Sequence, residues 1–160
     1  MVGPLVGERE CTLGVGCVVS VAGYRLDASN QIVALSSGTC GSPNASVVTA
    51  TWDKVNPNST VNGSGSTYDL GTPSEGVAGS YFRLCWAHNP SMIADFKYEI
   101  DGDFELAGPF VGELNCTLGI SCAMPVTGYR LAASNKIVAI SSGACGDAAA
   151  VVVTDTWDVS

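Results

Sequence analysis

Residues 3–53 read GPLVGERECTLGVGCVVSVAGYRLDASNQIVALSSGTCGSPNASVVTATWD. Residues 108–158 read GPFVGELNCTLGISCAMPVTGYRLAASNKIVAISSGACGDAAAVVVTDTWD. The second stretch is the first displaced by 105 positions without a gap, and 33 of the 51 aligned positions are identical. A repeat of this length and similarity is a tandem array of whole domains, not a short solenoid motif. Residues 54–107 are then the second half of a unit. The expected division is one full repeat over 1–107, then the first half of the next over 108–160, truncated or completed by a neighbouring chain. Met1 aligns with Leu106, inside the strand-like run Phe104-Glu105-Leu106, so the sequence is expected to be part of a longer chain.

Within the repeat, helical signals are nearly absent. Short β-branched and aromatic runs are punctuated by 19 Gly, 7 Pro and many Ser, Thr and Asn residues. That pattern predicts an all-β sandwich. Strands are expected over 16–21, 31–35, 47–52, 79–86, 95–99 and 104–106, with counterparts in the second copy at 136–140 and 151–157. Phe82, Leu84 and Trp86 share one face by the period of two and are expected in the core. Trp52 and Trp157 close the third strand of each copy. Asp101-Gly102 reads as a hairpin turn. Residues 56–67 (NPNSTVNGSGST) lack apolar periodicity and read as a surface loop. The junction Leu106-Ala107-Gly108-Pro109-Phe110 leaves almost no flexible linker, and its proline stiffens it.

About 105 residues is a normal single-domain size. The formal net charge is -8 and the pI about 4.3. A nucleic-acid surface needs clustered Lys and Arg, and so does a polybasic membrane contact; neither is expected. Charged residues are 14%, well below the usual ~25%, and the mean hydropathy is +0.27. So few charges defend a free surface poorly, so the surface is expected to be covered or buried against other chains. No window reaches the roughly 18 apolar residues of a membrane span.

The seven cysteines are Cys11, Cys17, Cys40, Cys85, Cys116, Cys122 and Cys145. The repeat explains the odd number: one unit carries four, and the second copy shows three. An even count per unit predicts two disulfides and an oxidising compartment. Four cysteines allow three connectivities. The reading favours Cys11–Cys17 as a local clip and Cys40–Cys85 as a long staple, with Cys116–Cys122 in the second copy and Cys145 left over. Buried thiols or a zinc site are the alternatives; the spacings are not paired C-x2-C and the one histidine is His88.

Four sequons fit N-x-[ST]: Asn44, Asn58, Asn62 and Asn115; Asn89 is excluded by Pro90. With the cysteine arithmetic they predict N-linked glycans, which would solvate a surface poor in charge. Asn115 corresponds to Glu10, and Asn44 to Ala149, so glycan placement varies while the framework is kept. Glu99, Asp101, Asp103 and Glu105 invite a calcium reading, but a solvated hairpin is the plainer expectation, and no metal ligand or cofactor is assigned. A catalytic reading would have to use His88, in Ala87-His88-Asn89-Pro90, without a nucleophile elbow or equivalent; no catalytic residue is assigned. No P-loop or dinucleotide fingerprint is present. Arg25 and Arg130, kept in both copies, suit hydrogen bonding to a neighbouring strand or unit, or stacking on Tyr24 and Tyr129.

The pattern C-T-L-G-x-x-C-x-x-x-V-x-G-Y-R-L, then S-N-x-I-V-A, then F-R-L-C-W, a D-F strand and a closing G-P, resembles a family of cysteine-containing β-sandwich repeats. These occur many times over in giant secreted or surface proteins of microalgae and other protists. The carriers are Cys11, Cys17, Gly23, Cys40, Phe82, Cys85, Trp86, Phe96, Gly108 and Pro109. The resemblance covers essentially the whole chain. It implies an extracellular immunoglobulin-like module, of the kind found in flagellar hairs (mastigonemes) and extracellular glycofibrils, and it implies no catalytic residues. The expected function is therefore a structural repeat of an N-glycosylated filament that self-associates end to end, by covalent repetition or by strand donation between protomers. The alternative is a cell-surface adhesion or carbohydrate-binding array, with a calcium-dependent version of it.

Overall fold

A computed structural model describes residues 2–48, 52, 58–62 and 65–153, with the backbone alone at 58–62, 65, 66 and 80. The described chain is all-β. In order it forms β1 (Gly3–Pro4), β2 (Glu10–Thr12), β3 (Cys17–Tyr24), β4 (Asn30–Ser37), β5 (Ser46–Val47), β6 (Asn58–Asn62), β7 (Gly65–Gly71), β8 (Gly79–His88), a 3-10 turn (Ile93–Asp95), β9 (Tyr98–Pro109), β10 (Gly128–Tyr129), β11 (Ile140–Ser142) and β12 (Val151–Val152). It divides into two compact parts, Met1–Arg130 and Leu131–Ser160.

The first part holds two sheets. One has the order β1-β3-β7-β6; the other runs β10-β9-β8-β4-β5, with β2 pairing in parallel on β9. β3 obeys the period of two: Cys17, Val19 and Val21 point in, while Val18, Ser20 and Ala22 point out. The core lies between the sheets. Val19, Val21, Tyr68 and Leu70 from one sheet meet Ile32, Ala34, Leu84, Ile100, Phe104 and Leu106 from the other. Each such burial stabilises by about 1.5–3 kcal/mol. The middle of β4, Ile32 to Leu35, is apolar and buried at every residue, because its other face is covered too. There Val33, Leu35, Cys85, Ala87 and Phe96 form a second cluster under Ala45, Val47 and Ile93. Phe82 and Leu84 are buried, and Trp86 is half-buried against that core with its ring edge-on to Tyr98. Trp52 is buried as well; Trp157 lies outside the described residues.

Four expectations in the first copy need correction. The strand expected over 47–52 is the short β5, Ser46–Val47, with Val48 and Trp52 outside it and 49–51 outside the described residues. Asp101-Gly102 is no hairpin turn: β9 runs unbroken from Tyr98 to Pro109. The surplus residues are absorbed as bulges, since Phe82, Leu84 and Cys85 of β8 face Phe104, Asp101 and Glu99. The strand expected over 95–99 begins only at Tyr98, after the 3-10 turn, where Asp95 takes the backbone N–H groups of Ser91 and Met92. Residues 56–67, read as a loop, contain the β6–β7 hairpin, paired from Asn58↔Asp69 to Asn62↔Gly65. Polar residues suit an edge strand as well as they suit a loop, so composition did not separate the two.

The two copies repeat one another in backbone detail. Gly3↔Tyr24 and Pro4↔Gly23 pair in the first copy, Gly108↔Tyr129 and Pro109↔Gly128 in the second. A Cβ on Gly23 would meet the Gly3 carbonyl and Pro4 Cα, and one on Gly128 would meet the Gly108 carbonyl and Pro109 Cα; both sites require glycine. Arg25 and Arg130 share a left-handed backbone (φ 54° and 49°). In the part Leu131–Ser160, β11 pairs β12 with Ile140↔Val152 and Ser142↔Val151. The first copy has Leu35↔Val47 and Ser37↔Ser46. Among the described residues the second copy's strands are Ile140–Ser142 and Val151–Val152, where 136–140 and 151–157 were expected; no described strand pairs with 135–139, and 154–157 lie outside the described residues.

Candidate functional site

The richest polar constellation lies where β9 runs into β10. β10 lays the left-handed residue Arg130 beside β2 and β9. The Arg130 guanidinium donates to Glu10 Oε2 at 2.7 Å and to Glu105 Oε2 at 2.8 Å. The Tyr129 hydroxyl donates to Glu105 Oε1 at 2.6 Å, and the Arg130 guanidinium sits 5.8 Å over the Tyr129 ring. Glu105 is the covered member of the set, 18% exposed against 57% for Glu10 and 53% for Arg130. Glu10, Glu105 and Arg130 line an open cleft together with Glu8 and Arg9. A clasp of this kind positions strands. Tyr24 and Arg25 keep the stacking half of the arrangement, with the guanidinium 5.3 Å over the ring. The sequence offered both partnerships for Arg130, and the structure uses both.

Arg9 and Asp101 form a second constellation that sequence reasoning missed. The Arg9 backbone N–H donates to Asp101 Oδ2 at 2.6 Å, and that of Asp103 donates to Oδ1 at 3.1 Å. The Arg9 guanidinium donates to the carbonyls of Ile100 (3.1 Å), Leu5 (3.2 Å) and Gly7. Burial pushes the Asp101 carboxyl above its ordinary pKa, against the two backbone donors and the Arg9 charge. Burial also lowers the Arg9 pKa, offset in part by Asp101. The pair sews residues 5–9 to β9. Its signal was faint, since Arg9 has Leu114 as its counterpart.

Three of the four carboxylates considered for calcium have partners of their own. Glu99 pairs with Arg83, Asp101 caps two backbone N–H groups, and Glu105 is held by Tyr129 and Arg130. Among the described residues no group of three or more His, Cys, Asp or Glu is placed to hold a metal ion. His88 Nδ1 lies 2.9 Å from both Ser29 Oγ and Asn30 Nδ2, while the single Ser29 hydroxyl proton is donated to Asp27 Oδ1. Serine thus stands between histidine and carboxylate. In a hydrolytic triad histidine stands between the other two.

Cys11–Cys17, Cys40–Cys85 and Cys116–Cys122 are bridged, with Cα separations of 5.4, 5.6 and 5.6 Å, and Cys145 is free and exposed. Cys40–Cys85 ties the turn after β4 to the buried face of β8. Asn44 and Asn115 are exposed. Asn58 and Asn62 begin and end β6, an edge strand among the described residues; their side chains lie outside the description. No helix among the described residues is long and apolar enough to cross a membrane. No family model matches this chain, and neither a curated protein nor a solved structure does.

Proposed function

We propose that this chain is a structural stretch of an extracellular, N-glycosylated filament, built from tandem immunoglobulin-like units of about 105 residues. The observation that carries the reading is the junction. β9 closes the first copy and its last residues, Gly108 and Pro109, are also the opening strand of the second copy, paired there with β10. One continuous strand with no linker, clasped by Arg130 on Glu10 and Glu105, suits a stiff connection and not a tether. Three disulfides accord with an oxidising compartment.

The immunoglobulin-like assignment is supported by strand order. The sheets β1-β3-β7-β6 and β9-β8-β4-β5 follow the A-B-E-D and G-F-C-C′ orders of that sandwich. The Cys40–Cys85 bridge departs from the B–F inter-sheet bridge of antibody domains, since it joins the turn after β4 to β8 in the same sheet. The mechanical role follows from chemistry: glycans on an apolar-leaning surface keep it hydrated, while the remaining apolar surface is covered by neighbouring units.

Imaging the native material by cryo-electron microscopy tests the proposal. A filament whose axial repeat corresponds to one 105-residue unit, with extra density at Asn58 and Asn62, supports it. Dispersed monomers without that density would refute it and favour the adhesion array.

A further inference from the structure

Among the described residues, β1 and β6 bound one sheet of the first part, and β10 and β5 bound the other. An edge strand presents unpaired N–H and C=O groups to any passing strand, and proteins blunt such edges with shortness, charge or proline. β1, β5 and β10 are two residues each, and β1 ends on Pro4. β6 is five residues long, and Asn58-Ser59-Thr60-Val61-Asn62 holds neither a charge nor a proline. Of these four edges it alone has no guard in its own residues. It is also the edge that begins and ends on a sequon asparagine. The register places both on one face. Ser59 stands opposite the fully buried Tyr68, on the inner side, while Asn58, Thr60 and Asn62 stand opposite Asp69, Thr67 and Gly65, on the outer side. Four residues of strand separate the two asparagines by about 13 Å.

The third sequon of the first copy lies at the neighbouring edge. Asn44 is exposed in the turn between β4 and β5, and Ser46, the hydroxyl residue of its sequon, opens β5. β6 lies against β4, which carries β5, so β5 and β6 are edges on the same side of the sandwich. The other side holds β1, β2 and β9, with Cys11–Cys17 joining β2 to β3 and Arg130 clasping Glu10 and Glu105. No sequon of the first copy lies there. The turn at Asn44 forms without its acceptor, since Ala149 replaces it in the second copy. There Gly143 and Gly146 adopt φ 91° and 84°, matching 89° and 84° at Gly38 and Gly41. Ala150 N–H donates to Asp147 O (3.1 Å) as Ala45 does to Ser42 (3.3 Å). Asn44 is thus an addition to a frame that stands without it.

We infer that the first copy is sheathed on one side: glycans on Asn58 and Asn62 bar strand addition to β6, a glycan on Asn44 covers β5 beside it, and the side of β1, β2 and β9 is left bare for the junction. The inference rests on the glycosylated reading above and says what the glycans do. A strand added to β6 would bring its side chains within about 5 Å of the residues opposite, where the bulky sugars on Asn58 and Asn62 already stand. The glycans do at this edge what lysine or proline does at others.

The test uses the chain secreted by a eukaryotic cell. Glycopeptide mapping should find Asn44, Asn58 and Asn62 occupied. Thr60→Val with Ser64→Ala removes both β6 acceptor sites and keeps both asparagines. This variant should shift to larger assemblies than the parent in size-exclusion chromatography. In those assemblies the amides of 59–61 should exchange at least about tenfold more slowly than in the parent, because a strand now flanks them. Thr60→Lys with Ser64→Ala lacks the same glycans but puts a charge on the edge, and should elute as the parent does. Thr117→Val, which removes the Asn115 site of the second copy, should also leave elution unchanged. Trimming the folded parent with an endoglycosidase that leaves one sugar on each asparagine should reproduce the shift without any substitution. Unoccupied Asn58 and Asn62 overturn the inference and remove the glycan coat from the filament reading with it. Two other results overturn the inference and leave that reading standing. One is unchanged elution of both the Thr60→Val, Ser64→Ala variant and the trimmed parent. The other is an equal shift on Thr117→Val, which would make the glycans general solubilisers.

Discussion

Asp101 is the residue whose chemistry departs furthest from what its neighbours in sequence suggest. It is buried in β9, and burial raises its pKa against the pull of the Asp103 and Arg9 backbone donors and the Arg9 charge. The folded chain therefore keeps a proton where the unfolded chain has released it. The stability from this group is fully present below the ordinary carboxylate value of about 3.9 and is lost as pH rises through the raised folded value. Asparagine offers one acceptor where the carboxyl offers two, so Asp101→Asn should be less stable than the parent. That deficit should be widest in acid and narrow as pH rises toward neutrality. Urea unfolding across that range reads it; a deficit constant with pH would refute the assignment. Asp27 and Asp95 run the other way. Ser29 and Ser91 hydrogen bonds lower their pKa values, so their contribution is lost as pH falls. A second comparison uses the repeat itself. Ile32→Ala empties a fully buried site and should cost about 2–5 kcal/mol. Ile137→Ala, in the same I-V-A motif, should change stability by less than about 0.5 kcal/mol.

The elements show which signals were legible and why. Strands built from apolar residues were readable: β3 alternates and β4 is apolar on both faces, and both lie within a residue or three of the expected bounds. The errors fall where polar residues adopt strand. Asp101-Gly102 carries the letters of a hairpin turn, but only the partner strand β8 decides that the excess residues become bulges. The stretch 58–62 pairs through its backbone with β7, and backbone pairing leaves little mark on composition. Partners distant in sequence were illegible for the same reason: Glu10 and Glu105 meet Arg130 only because β2 lies parallel on β9. The cysteine spacing was a stronger signal, since four per repeat admit few arrangements. The 45-residue loop closed by Cys40–Cys85 restrains the unfolded chain far more than the 6-residue loop of Cys11–Cys17. On the chain-entropy account, replacing Cys40 and Cys85 by alanine should cost about 4 kcal/mol, and replacing Cys11 and Cys17 about 2 kcal/mol. Chemical denaturation of the two double variants orders them; a larger loss at Cys11–Cys17 would contradict that account.

At the scale of the whole molecule, one sequence motif sits in two environments within a single chain, which makes the protein its own control. Intrinsic exchange chemistry is set by local sequence, so amides of S-N-Q-I-V-A at 29–34 and S-N-K-I-V-A at 134–139 start nearly equal. Their protection then reports only what covers them. In the isolated chain, the amides of Ile32 and Ala34 lie in a strand flanked by β8 and β5 and should exchange only through global opening. Those of Ile137 and Ala139, which no strand among the described residues flanks, should exchange faster by several orders of magnitude. Equal protection in the isolated chain would mean that something already covers the motif in the second copy. The same measurement on assembled native material carries the opposite expectation. If units complete one another along a filament, residues 134–139 should rise to the protection of 29–34, since each copy then holds its own equivalent of β8. Protection that stays low in the assembly would break the link between the repeat and the fibre, because a half-covered unit offers neither the buried core nor the closed sheet that stiffness requires.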